Sequence, residues 1–130
     1  MSEQPHPPTD HPVIRVIAMP ADTNPNGDIF GGWLMSQMDL AAGNAAARHS
    51  AGRVVTVAVD AMTFNHPVFV GDEVSVYAKI VSTGRSSMTI AVEAWRRPRE
   101  SDETVKVTQA AFTFVAVGAD RRPRALSDPG

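Results

Sequence analysis

Apolar residues follow two rhythms along this chain. Across residues 30–49, Leu34, Met35, Met38, Ala41, Ala42 and Ala45 recur three or four positions apart. That spacing lines one face of a helix. Elsewhere the rhythm is alternation. Residues 13–18 predict a short first strand. Residues 53–64 place Val55, Val57, Val59 and Ala61 on one face of a second. Residues 73–81, 87–95 and 105–117 predict three more. Asn24-Pro25-Asn26-Gly27 is a turn signal, and so are Pro67 and Gly71. The polar, charged stretch 98–103 reads as a hairpin loop. One long helix followed by four consecutive strands argues for an α+β fold, since antiparallel strands with short hairpins can wrap a single helix.

The same helix carries a second stripe of Gly32, Ser36, Asp39 and Gly43. A carboxylate buried without a partner is costly. A helix that keeps Asp39 among apolar neighbours either pairs it or uses it. Gly43 inside a helix costs roughly 1 kcal/mol against alanine. Small residues around a carboxylate admit another backbone or a substrate. Gly31 and Gly32 leave the first N–H groups of the helix unshielded. Those groups carry partial positive charge and suit a phosphate or a developing oxyanion. Gly32 precedes Asp39 by seven residues, roughly 10 Å of helix rise. A thioester fits such a span. Its hydrolysis needs a base or nucleophile and a dipole for the oxygen, and its thiolate leaves without a strong acid. Whether Asp39 activates water or attacks directly stays open. Ser36 reads as a surface hydroxyl, because no Ser-His-Asp set is recognisable.

Composition narrows the classes. A length of 130 residues favours one domain. We expect tails at 1–12, where Pro5, Pro7, Pro8 and Pro12 crowd a polar stretch, and at 118–130, around a domain over 13–117. The net charge of −2 offers no overall basic field for nucleic acid. The absence of cysteine excludes disulfides, a thiolate nucleophile and thiolate-ligated zinc, and it fits a cytoplasmic protein. The N-terminus lacks the apolar region of a signal peptide, and no apolar run is long enough to span a membrane. No histidine pair has metal-ligand spacing, so no metal is expected.

The run from Asp22-Thr23-Asn24 through Gly27-Asp28-Ile29-Phe30-Gly31-Gly32-Trp33 to Met38-Asp39 resembles the hotdog-fold acyl-CoA thioesterases, and most closely the short bacterial YciA-type hydrolases. Met62-Thr63-Phe64, Pro67-Val68, Val70-Gly71-Asp72 and Gly84-Arg85-Ser86-Ser87 agree with it. Together they cover roughly residues 13–126. The resemblance implies a hotdog fold, an antiparallel sheet of about five strands around one long helix. It implies hydrolysis of fatty acyl-CoA, with coenzyme A as part of substrate and product and no further cofactor. It makes Asp39 the base or nucleophile and brings Asn24 to the same site from a second subunit. It therefore implies a homodimer at least, assembled further into a tetramer or hexamer. One departure is Asn65-His66 before Pro67, where the family commonly carries arginine or lysine.

Asn24 read by itself is a turn residue; the resemblance alone makes it a site residue. Arg85, Ser86 and Ser87 offer a charge, hydroxyls and turn N–H groups to the phosphates of coenzyme A, or they form a plain hairpin turn with a solvated arginine. Trp33 lines the substrate channel or packs in the core. Arg-Arg-Pro-Arg occurs at 96–99 and again at 121–124, as phosphate ligands or as solvated loop charge. Two further functions remain: a non-catalytic acyl-CoA-binding protein, for which Asp39 has no use, and a hydratase or dehydratase on acyl thioesters. The latter usually needs a histidine near the helix start, and Phe30 stands there.

Overall fold

The computed structural model describes residues 6–127. The strand β1 (Ile14–Ile17) leads through a 3₁₀ turn (Pro20–Asp22) into the helix α1 (Gly31–Ser50). Four strands follow: β2 (Val54–Val59), β3 (Glu73–Thr83), β4 (Ser87–Arg97) and β5 (Val105–Ala116). They form one antiparallel sheet in the order β1-β3-β4-β5-β2. The helix lies across its concave face, the hotdog arrangement. The expected α+β class and strand number hold.

Why the helix sits close to the sheet follows from its sequence. Leu34, Met38, Ala41, Ala42 and Ala46 are its buried apolar residues, and the three alanines are wholly inaccessible. Small side chains let the backbone approach the row of Val74, Val76, Met88, Ile90, Val92, Phe112 and Phe114. Gly43 belongs to the same contact, since a Cβ there would stand 3.4 Å from the Phe114 ring. Its small size admits a core aromatic.

The helix ends where Ala51 turns left-handed at φ 54°, its N–H donating to the Ala47 carbonyl. Arg124 then locks this end. Its guanidinium donates to the Ser50 carbonyl at 3.2 Å and to the Val117 carbonyl at 3.0 Å. The segment after β5 therefore turns back onto the domain: the N–H of Arg124 reaches the Ala116 carbonyl and that of Leu126 the Arg85 carbonyl. At the other terminus, residues 1–5 of the expected N-terminal tail lie outside the described residues. Pro7 borders one groove on the outer face of the sheet beside Tyr77 and Trp95, and Pro8 borders another beside Tyr77.

β2 departs most from its expected form. A bulge between Thr56 and Ala58 breaks its pairing with β5, so the valine alternation does not define one buried face. Val55, Val57 and Val59 are all exposed. The chain beyond Val59 leaves the ladder yet still runs beside β5, with Asp60 N–H on the Ala111 carbonyl and Asn65 N–H on the Val107 carbonyl.

Candidate active site

Asp39 lies on the flank of α1 that faces β2. The Thr56 hydroxyl donates to its Oδ1 at 2.7 Å. The carboxylate is half-buried in the single chain rather than enclosed. That corrects the expectation of a buried aspartate. The reason is topological: β2 is the edge of the sheet, so no further strand roofs this flank. The surroundings are apolar and open, with Leu40 60% exposed on the helix and Val57 55% exposed on the strand. Thr56 escaped the sequence analysis. Its one signal was being the polar residue in the run Val-Val-Thr-Val-Ala-Val.

The helix start is bare, as expected. Phe30 occupies the N-cap position without a side-chain cap, and no acidic residue stands in the first turn. The Phe30 N–H is taken by the Asp22 carbonyl at 3.0 Å. The N–H groups of Gly31, Gly32 and Trp33 precede the first intrahelical donor, the Leu34 N–H on the Phe30 carbonyl, and no side chain accepts from them among the described residues. The two glycines differ. A Cβ on Gly31 would meet the Phe64 ring at 3.4 Å, whereas one on Gly32 would meet nothing within 4 Å. Gly32 faces open space on the Asp39 side.

Asn24 sits in the turn before the helix, and its side-chain oxygen holds that turn. Oδ1 accepts the N–H of Asn26 at 2.9 Å and of Asp28 at 3.1 Å. The backbone closes the same loop, with Asn24 N–H on the Asp28 carbonyl at 2.7 Å and Gly27 at φ 88°. The turn role is the one this geometry displays. The oxygen orders the turn, and the amide NH₂ is left without a protein partner among the described residues.

Beneath the helix start, Ile29, Gly31, Leu34, Phe64, Val68 and Val107 line a cavity of about 250 Å³. His66 stands in its wall, its Nδ1 donating to the Lys106 carbonyl at 3.1 Å. The cavity includes neither Asp39 nor Asn24. Trp33 does not line it; it packs half-buried against the core.

Arg85, Ser86 and Ser87 form the turn between β3 and β4. The Ser87 carbonyl accepts the Gly84 N–H, and the Ser86 carbonyl accepts that of Ala116. The Arg85 side chain is exposed. The two Arg-Arg-Pro-Arg stretches are not simply solvated. Arg97 pairs with Glu73 at 3.2 Å, Arg96 lies over the Phe69 ring and 3.7 Å from Asp72, and Arg124 clamps the helix end. Among the described residues no group of three histidine, aspartate or glutamate side chains could hold a metal. No helix is long and apolar enough to cross a membrane.

The arrangement can therefore present a carboxylate steered by a hydroxyl, on the same flank as a set of uncapped N–H dipoles about two turns away. Residues 26–102 match the thioesterase superfamily. Over 122 residues the chain is 57% identical to an uncharacterised acyl-CoA thioester hydrolase of Zymomonas mobilis, covering 94% of this chain and 82% of that one. It is 51% identical over 117 residues to the acyl-CoA thioester hydrolase YciA of Escherichia coli, covering 88% and 89% of the two. Its fold superposes on a hexameric hotdog-fold thioesterase of Campylobacter jejuni with a TM-score of 0.85 and 41% identity, over 91% of each chain.

Proposed function

The chain belongs to the thioesterase superfamily, and on that premise we infer that it is an acyl-CoA hydrolase releasing a fatty acid and coenzyme A. The observation that carries the mechanism is the Asp39 carboxylate, held by Thr56 on the open flank of a helix whose first N–H groups are uncapped. Water attacks the carbonyl carbon while Asp39 takes its proton, or Asp39 attacks and water then cleaves the anhydride. In either course the C–S bond breaks and the thiolate leaves with the electron pair, later taking a proton. The dipoles of Gly31 and Gly32 face the oxygen that becomes charged. The acyl chain occupies the apolar cavity beneath the helix start. A cysteine-free chain suits the reducing cytoplasm, where we place the enzyme.

The site is completed by a second copy. Asp39 and the exposed valines of β2 lie along an open sheet edge, which proteins normally cover. Covering it with β2 of another subunit brings Asn24 of the partner subunit, with its free amide, to Asp39. The relative from Campylobacter jejuni is described as hexameric, and we propose the same assembly, built from such dimers. The test is complementation. Asn24→Ala and Asp39→Ala are each nearly inactive alone. Unfolded and refolded together, they form mixed dimers with one site carrying both defects and one carrying neither, and activity returns. A mixture that stays inactive while mixed dimers are present refutes the shared site.

A further inference from the structure

The cavity beneath the helix start is apolar with one exception. Among the side chains that line it, only that of His66 carries hydrogen-bonding atoms. The walls on either side of this ring are tied by backbone bonds, with the Asn65 N–H on the Val107 carbonyl at 2.8 Å and the Ile29 N–H on the Val68 carbonyl at 3.3 Å. The ring itself is oriented from one side. A carbonyl oxygen only accepts, so the contact of Nδ1 with the Lys106 carbonyl at 3.1 Å places the proton of the neutral imidazole on Nδ1. Nε2 then keeps its lone pair and has no protein partner among the described residues. Neighbouring polar side chains are engaged elsewhere. Lys106 meets Glu93 and Gln109, and the Thr108 hydroxyl donates to the Thr63 carbonyl. The His66 ring is exposed to solvent. Gly31, with its uncapped N–H, belongs to the same lining.

We propose that His66 is a specificity-determining residue that selects acyl groups bearing a hydroxyl along the chain, its Nε2 accepting the O–H. The proposal rests on the hydrolase reading above, with the acyl chain in this cavity. A chain made only of methylenes strips solvent from Nε2 as it passes the ring and returns no hydrogen bond, whereas a hydroxyl returns one. Apolar pockets draw their selectivity from a few such polar groups. A site that hydrogen-bonds a substrate hydroxyl also rejects the analogue lacking it far better than an apolar wall rejects a chain shorter by one methylene. In the hydrolase reading the Gly31 N–H faces the thioester oxygen, so one pocket holds both the reacting carbonyl and the hydroxyl.

The experiment sets octanoyl-CoA against its 3-hydroxy, 5-hydroxy and 8-hydroxy derivatives as substrates of wild type, His66→Leu and His66→Gln, with thermal melting as the check on folding. In wild type at least one hydroxylated substrate should exceed octanoyl-CoA in kcat/KM about tenfold. His66→Leu should erase that preference by slowing the hydroxylated substrate while sparing or quickening octanoyl-CoA. His66→Gln keeps an acceptor and should retain part of it. A residue that only packs would shift all the substrates together. Such a uniform shift overturns the proposal, as does wild-type indifference to the hydroxyl at every position, or a preference that survives in His66→Leu. So does a preference for the terminal carboxylate of suberyl-CoA over each hydroxylated chain that vanishes in His66→Leu, because it marks a cationic ring rather than an accepting one. Hydrolysis of octanoyl-CoA by wild type checks the hydrolase reading separately. If it is absent, that reading fails, and calorimetric titration of the same thioesters into wild type and His66→Leu still tests the pocket. Equal affinities for the plain and hydroxylated chains overturn the role of His66.

Discussion

Asp39 and Asp72 are the same residue type used in opposite ways. Asp72 is 5% exposed and occupied: its carboxylate accepts the Phe69 N–H at 2.9 Å and faces Arg96 at 3.7 Å. It closes the Phe-Val-Gly-Asp turn, in which Gly71 takes φ 92° and the Asp72 N–H returns to the Phe69 carbonyl. Asp39 is half-exposed, has one hydroxyl as its partner, and faces apolar surface. Asp72 is structural because it is enclosed between a backbone donor and a guanidinium. Asp39 is half-open, with a single neutral donor on one of its oxygens. Burial alone singles out Asp72, not Asp39.

The sharpest way to separate the two is to neutralise Asp39. Asp39→Asn keeps the shape and removes the base, so kcat should fall by roughly 10²–10⁴-fold with an unchanged melting temperature. Near-wild-type turnover on octanoyl-CoA would end its assignment. Asp72→Ala should invert the pattern. It strands the Phe69 N–H and leaves Arg96 uncompensated, at a cost of about 3 kcal/mol. Urea unfolding should show that loss, while activity per folded molecule in dilute urea-free buffer stays close to normal. A stable, inactive Asp72→Ala protein would break the contrast. The smallest effect is expected at Thr56. Thr56→Val removes the hydroxyl on Asp39 at nearly constant volume, and kcat should drop about tenfold. Thr56→Ser should restore most of it, which a purely steric role would not allow. An equal drop in both variants would make Thr56 a packing residue.

The legible part of this molecule is the part governed by periodicity. Residues 30–49 were expected to be helical and α1 spans Gly31–Ser50; residues 87–95 and 105–117 lie almost wholly within β4 and β5. In each, one face meets the core, so sequence rhythm and burial coincide. β2 failed that logic. Its valines alternate as those of a half-buried strand do, yet the bulge after Thr56 and its place at the sheet edge leave them exposed in one subunit. Strand pattern reports apolar demand and does not say whether the chain or another copy meets it. Gly43 misled in a similar way, as its lack of a side chain serves Phe114.

At the candidate site the division is equally physical. Sequence alone marked Asp39, the glycine pair and the bare helix start, since these are local consequences of residue type and helical spacing. It also marked Asn24 as a turn former, a role its side-chain oxygen fulfils. The Thr56 hydroxyl on Asp39 joins residues seventeen apart. The chain after β5 joins the helix end through Arg124 and the β3–β4 turn through the Leu126 N–H. Such meetings depend on strand order, and strand order places β2 at an edge and β5 beside it. No local pattern encodes which strand ends up outermost, because that choice is made by the packing of the whole sheet on its helix. It leaves Asp39 open on one flank and so sets the shape of the candidate site.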